Sequence, residues 1–142
     1  MTMKRHLFLI AAAIGAMSAT AGVFAAQSAQ SLTGVAGGLW EVSGIPGTKT
    51  PLKQCVADPV ELAMVEHKNV KCTPTILNDS GSSLKLSYQC VGGGFGQATI
   101  KTITPRSLRL DVQGIADGAP YGYVLQAHRV GDCPTKAERG GH

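Results

Sequence analysis

The stretch that decides the fold is Cys72-Thr-Pro-Thr-Ile-Leu77, Asn78-Asp-Ser-Gly-Ser-Ser83, Leu84-Lys-Leu-Ser-Tyr-Gln-Cys90. Two strand-like runs flank a cluster of turn residues, and Leu84, Leu86, Tyr88 and Cys90 alternate with Lys85, Ser87 and Gln89. Strict alternation is the period of a strand with one buried and one wet face. Folding the chain about Gly81 places Cys72 opposite Cys90, within the roughly 5.5 Å Cα separation that a disulfide needs.

The same grammar repeats on both sides. Leu108, Leu110 and Val112 alternate with Arg109, Asp111 and Gln113, and Gln97 to Thr104 is rich in Thr and Ile. Thr104-Pro105-Arg106-Ser107 and Ala116-Asp117-Gly118-Ala119-Pro120 supply turns, and a last strand is expected from Tyr121 to Val130. Upstream, Leu39 to Ser43 alternates and carries the single Trp, Trp40; Pro46-Gly47 turns the chain into a second strand within Lys49 to Val56. One helix is expected: Asp58 as N-cap, Pro59 at the first helical position, then Val60, Leu62, Ala63, Met64 and Val65, ending near His67. The expected architecture is mainly β: a curved antiparallel sheet or partly open barrel of about seven short strands, one short α-helix and two disulfides.

Lys4 and Arg5 precede an uncharged apolar run from Leu7 to Ala26, the order of a secretory signal. Small residues at −3 and −1 allow cleavage after Ala21 or after Ala25, of which Ala25 is preferred. The expected organisation is a signal peptide over 1–25, a flexible leader over 26–38, a disulfide-bonded β domain over 39–133 and a disordered tail over 134–142. No later run is apolar for long enough to span a membrane, so a periplasmic location is expected. Loss of Lys4 and Arg5 with the signal takes the formal charge from +4 down by two, to +2. The remaining basic residues form no stripe, which argues against nucleic acid as a partner.

All four cysteines, Cys55, Cys72, Cys90 and Cys133, lie in the mature part, as in a disulfide framework of an exported protein. Their wide spacing, with no CxxC, disfavours zinc and a thioredoxin-like site. Four cysteines allow three pairings. If consecutive strands run antiparallel, Cys90 and Cys133 fall at opposite edges of the sheet, whereas Cys55 can share an edge with Cys133. The geometric preference is therefore Cys72–Cys90 with Cys55–Cys133.

Chemistry is sparsely signalled. His67 ends the expected helix and His128 stands in the last strand beside Arg129; neither belongs to a catalytic motif. Gly92-Gly93-Gly94-Phe95-Gly96 lacks the Lys-Ser/Thr of a phosphate loop and reads as a hairpin loop. No catalytic residue, metal ligand or cofactor is assigned. Small β domains with ligand-facing interiors bind apolar molecules or peptides, and Trp40, Tyr88, Phe95, Tyr121, Tyr123, His128 and Arg129 are the candidate binding residues. The expected partner is an apolar small molecule or peptide, with docking on another envelope protein as the alternative.

Read as an ordered set, Gly38-Leu39-Trp40-Glu41-Val42, Gln54-Cys55, Cys72, Tyr88-Gln89-Cys90 and Arg129-Val130-Gly131-Asp132-Cys133 resemble an uncharacterised family of small exported bacterial proteins, catalogued as a domain of unknown function. The resemblance implies periplasmic residence and a compact β domain with these cysteines. It brings no activity, ligand or catalytic residue.

Overall fold

The computed structural model describes residues 29–135, so the stretch read as a signal peptide and most of the stretch read as a tail lie outside the described residues. Seven strands form one antiparallel sheet: β1 (Gly38–Ser43), β2 (Leu52–Val56), β3 (Cys72–Ser80), β4 (Ser83–Cys90), β5 (Phe95–Thr104), β6 (Ser107–Ala116) and β7 (Ala119–Gly131). Their spatial order is β2-β1-β7-β6-β5-β4-β3. The chain thus starts inside the sheet, steps out to the β2 edge, crosses to the β3 edge and returns as a five-strand meander that closes against β1.

The meander's turns follow their residues. Gly81 and Ser82 link β3 to β4 in two residues, with Gly81 at φ +58°, the conformation a type II′ hairpin asks of its first central residue. Asp117 and Gly118, at φ +50° and +75°, link β6 to β7 with both central residues left-handed, as in a type I′ hairpin. These turns match the twist of the strands and pin their register. Alternation then does the rest: Leu84, Leu86, Tyr88, Ala98, Ile100, Leu108, Leu110, Val112, Leu125 and Ala127 all bury on one face.

That face needs a cover, and the β2-to-β3 crossover provides it. After Val56 the chain enters the inner face at the end of the sheet that carries Cys133, and it leaves at the opposite end, where Cys72 begins β3. Leu62, Ala63 and Val65 are buried along the way, joining Trp40 and Val42 in one core. Gln54 on the β2 edge and Cys72 on the β3 edge border the same hollow as this segment, so the sheet curls until its edges face each other across the crossover.

The expected α-helix is a 3-10 helix, η2, over Pro59–Met64. Its start is as expected and more tightly built: the Asp58 side chain accepts from Val60 N–H at 2.9 Å, and Glu61 accepts from the Asp58 N–H at 2.9 Å, a reciprocal capping box. Six residues are too few for an α-helix to sustain itself, and a 3-10 turn rises about 2.0 Å per residue against about 1.5 Å, which suits a short segment crossing a sheet.

The segment read as a flexible leader is packed from Ala29 onward. A second 3-10 helix, η1 (Gln30–Leu32), buries Ala29 and Leu32. The Asp79 carboxylate accepts from Gln30 N–H at 2.6 Å and Ser31 N–H at 2.9 Å, and Thr102 Oγ1 donates to the Ser31 carbonyl at 2.7 Å. Low complexity hides this docking, because its partners are some fifty and seventy positions away.

Both disulfides pair as the geometry preferred, Cys55–Cys133 and Cys72–Cys90. The route to the first differs from the expectation. Cys133 does not end an edge strand: β7 is interior, and β1 lies between it and β2, Leu39 pairing with both Cys55 and Gly131. The bond therefore clips the β2 edge over β1. Each edge strand is tied at one end, β2 by Cys55 and β3 by Cys72.

A tyrosine and histidine cluster over a glycine row

Tyr88, Gly96, Gly114 and Tyr121 stand directly opposite one another on β4, β5, β6 and β7. Residues in register share a face of the sheet, so two large side chains flank two absent ones. The rings fill that space: a Cβ at Gly96 would come within 2.5 Å of the Tyr88 hydroxyl and 2.6 Å of the Tyr121 hydroxyl, and one at Gly114 within 2.7 Å of the latter. The two hydroxyls hydrogen-bond to each other above the glycines.

The end of the crossover closes over this pair. His67 is buried, its Nε2 lies 3.1 Å from the Tyr121 hydroxyl, and its ring meets those of Tyr88 and Tyr121 edge-on at centroid distances of 5.4 and 5.7 Å. Gly94 makes room for it, since a Cβ there would approach the His67 ring to 2.8 Å. Beside them the Tyr123 hydroxyl donates to the Glu66 carboxylate, and its ring lies 5.8 Å from that of Tyr121.

Burial holds all three phenols above the usual tyrosine range; the hydrogen bond with Tyr121 adds to the shift at Tyr88, and the bonded Glu66 carboxylate adds to it at Tyr123. Desolvation disfavours phenolate, so these groups act as neutral hydrogen-bonding groups rather than bases. Stability follows with a definite sign. The unfolded chain releases phenolic protons near pH 10 while the folded chain keeps them, so this contribution is complete below that pH and drains away as pH climbs beyond it. These are the only three tyrosines in the chain. Phenolate absorption is therefore expected to appear together with loss of the β-sheet circular dichroism on alkaline titration, and an ordinary pH 10 titration of a still-folded protein would contradict the cluster.

On the outer face, at this same end, Phe95 and Ile115 pair across β5 and β6 beside Gln89, Gln97 and Gln113, with Tyr88 and Tyr121 in the wall of an open cleft of about 580 Å³. Phe95 is 52% exposed. A second cleft of about 490 Å³ shares Gln97 and Gln113 with the first and continues over Thr99, Asp111 and Val124. A continuous groove thus runs across β4 to β7, polar along its length and apolar at the Phe95 end.

The candidate binding residues separate into two groups. Tyr88, Tyr121 and Tyr123 come together, with Phe95 nearby. Trp40 is fully buried in the core, and His128 is exposed opposite Glu41 and Ser107, far along β7 from Tyr121. Arg129 donates from Nε to the Gly37 carbonyl at 2.8 Å and pairs with Asp132 at 2.7 Å, bracing the start of β1. The sequence reading missed Glu66 and His67 as members of the cluster, and it placed Gly96 in a loop whereas Gly96 lies in β5. Isolated glycines inside alternating strands, Gly96 and Gly114, were the available signal, because they mark close approach of another group.

Fold and site together define a small all-β domain, clipped by two disulfides, with a cluster of neutral phenols and one imidazole beside an outer groove. The chain matches no family model, no curated protein and no solved structure. The two disulfides point to an oxidising, extracytoplasmic compartment. No helix among the described residues is long and apolar enough to cross a membrane.

Proposed function

We propose that this chain is a periplasmic binding domain without a catalytic role, taking an apolar small molecule or the apolar side chain of a peptide at the Phe95 end of the outer groove. The observation that carries this reading is the exposed Phe95 ring paired with Ile115 in a cleft of ligand size, about 580 Å³, with glutamine amides spaced along it. An apolar group seated on Phe95 gains burial, while Gln97 and Gln113 satisfy polar atoms of the same ligand. The signal-like N-terminus and the resemblance to exported domains support the compartment. Tyr88 and Tyr121, held protonated behind the cleft, keep its floor in one shape.

A thermal-shift screen of the processed protein against lipids, peptides and envelope glycans tests it. At least one class is expected to raise the melting temperature, and Phe95→Ala is expected to weaken that ligand roughly tenfold, the value of burying part of one ring. No stabilising compound, or one indifferent to Phe95→Ala, would sink the reading.

The edge of the sheet favours a second reading, docking on another envelope protein. β3 has a free side, and Ile76 and Leu77 on it are 48% and 49% exposed. Strand addition to such an edge is a common mode of peptide recognition. A stoichiometric protein recovered by pull-down from envelope extracts and lost on Ile76→Lys would favour docking over small-molecule binding.

A further inference from the structure

We propose that Cys72 and Cys90 form a reversible redox pair, and that in the dithiol state their two thiolates and the His67 imidazole bind one soft cation of the Zn²⁺ or Cu⁺ type. The spacing that disfavours zinc along the sequence does not survive folding. The β3–β4 hairpin sets the two cysteines directly opposite each other with Cα atoms 3.9 Å apart, and the crossover delivers His67 from a third element. A ring nitrogen of His67 and both sulfurs lie within 4.8 Å of one another. His67 Nε2 is engaged by Tyr121, which leaves Nδ1 as the ligand. An outer partner of that kind orients a metal-bound histidine and fixes its tautomer.

The site outlasts the bond. Pairing of β3 with β4 continues past the cysteines through the Val91 N–H to the Lys71 carbonyl at 2.9 Å, so the hairpin ladder holds the thiols side by side once they are separate. The closed loop is also the shorter of the two, with a separation of 18 residues against 78, and its opening frees less chain entropy. A dithiol reductant opens the bond: its two sulfur–hydrogen bonds are exchanged for one disulfide, and Cys72 and Cys90 each gain a hydrogen. The cation then displaces those two protons, and thiolate sulfur with one imidazole is the donor set that soft cations choose.

Limited reduction of the processed protein with dithiothreitol, followed by chromatography and peptide mapping, is expected to yield a species with Cys72 and Cys90 free, Cys55–Cys133 intact and the sheet dichroism retained. Titrated with Cd²⁺ as probe, this species should show thiolate-to-cadmium charge-transfer absorption saturating at one ion per chain. His67→Ala should weaken binding by roughly a hundredfold, the upper end of what loss of even an outer partner produces. Cys72→Ser/Cys90→Ser, carried through the same limited reduction with Cys55–Cys133 left intact, should show no such site. Failure of the selectively reduced species to form, loss of its sheet signal, absence of Cd²⁺ binding, or binding unchanged in His67→Ala would each overturn the proposal.

Discussion

Replacing Cys55 and Cys133 together by serine is expected to lower the free energy of unfolding by about 4.5 kcal/mol, against about 3 kcal/mol for the Cys72 and Cys90 pair, on the chain-entropy model. The difference follows from loop length, 78 residues against 18. Topology adds to it. Without the Cys55–Cys133 bond the β2 edge keeps its ladder to β1 and the core packing of Val56, and β2 is five residues long. For a domain whose total stability is of order 5–15 kcal/mol, the loss leaves a marginal fold. Urea denaturation of the two double variants against the oxidised parent measures it, and a larger loss from the hairpin pair would contradict the assignment of Cys55–Cys133 as the principal clip.

Leu62→Ala is the second large effect, a loss of about 2–5 kcal/mol. Leu62 is fully buried at the centre of η2, on a segment only six residues long that lacks enough length to be a stable helix alone. Its place is kept by the capping box at one end and by this side chain beneath. Leu62 packs in the core with Ala63, Val65, Trp40 and Val42, and a six-residue segment offers no long helix whose small shift could close the cavity left by truncation. Leu77→Ala, at a residue 49% exposed on the β3 edge, should change stability by less than about 0.5 kcal/mol. Equal losses in the two variants, read from thermal or urea melts, would mean that the crossover does not fill the sheet.

Strands β4, β6 and the turns at Gly81 and Asp117-Gly118 were legible because their signals are local. Alternation repeats every second residue, and turn chemistry occupies two to four positions. The 72–90 disulfide was legible for the same reason: it is the arithmetic of one hairpin. The 55–133 pairing came from a cruder picture of sheet edges, and the interior position of β1 corrects that picture while leaving the pair intact. The 3-10 character of η2 and the packing of Ala29 to Leu32 were not legible. Each depends on a sheet surface supplied by distant strands, and nothing in six or three residues encodes it.

By itself the sequence determined a mainly β domain with one capped helical segment and oxidised cysteines, since periodicity, caps and turns act within a few residues. Only the tertiary structure decided that Tyr88 and Tyr121 meet over Gly96 and Gly114, and that His67 stands beside them and beside Cys72–Cys90. Those neighbours are brought together by register across four strands and by a crossover threaded through the curl of the sheet. Such contacts are set by how the whole hydrophobic face closes on itself, and that closure is a property of the assembled chain, not of any stretch within it.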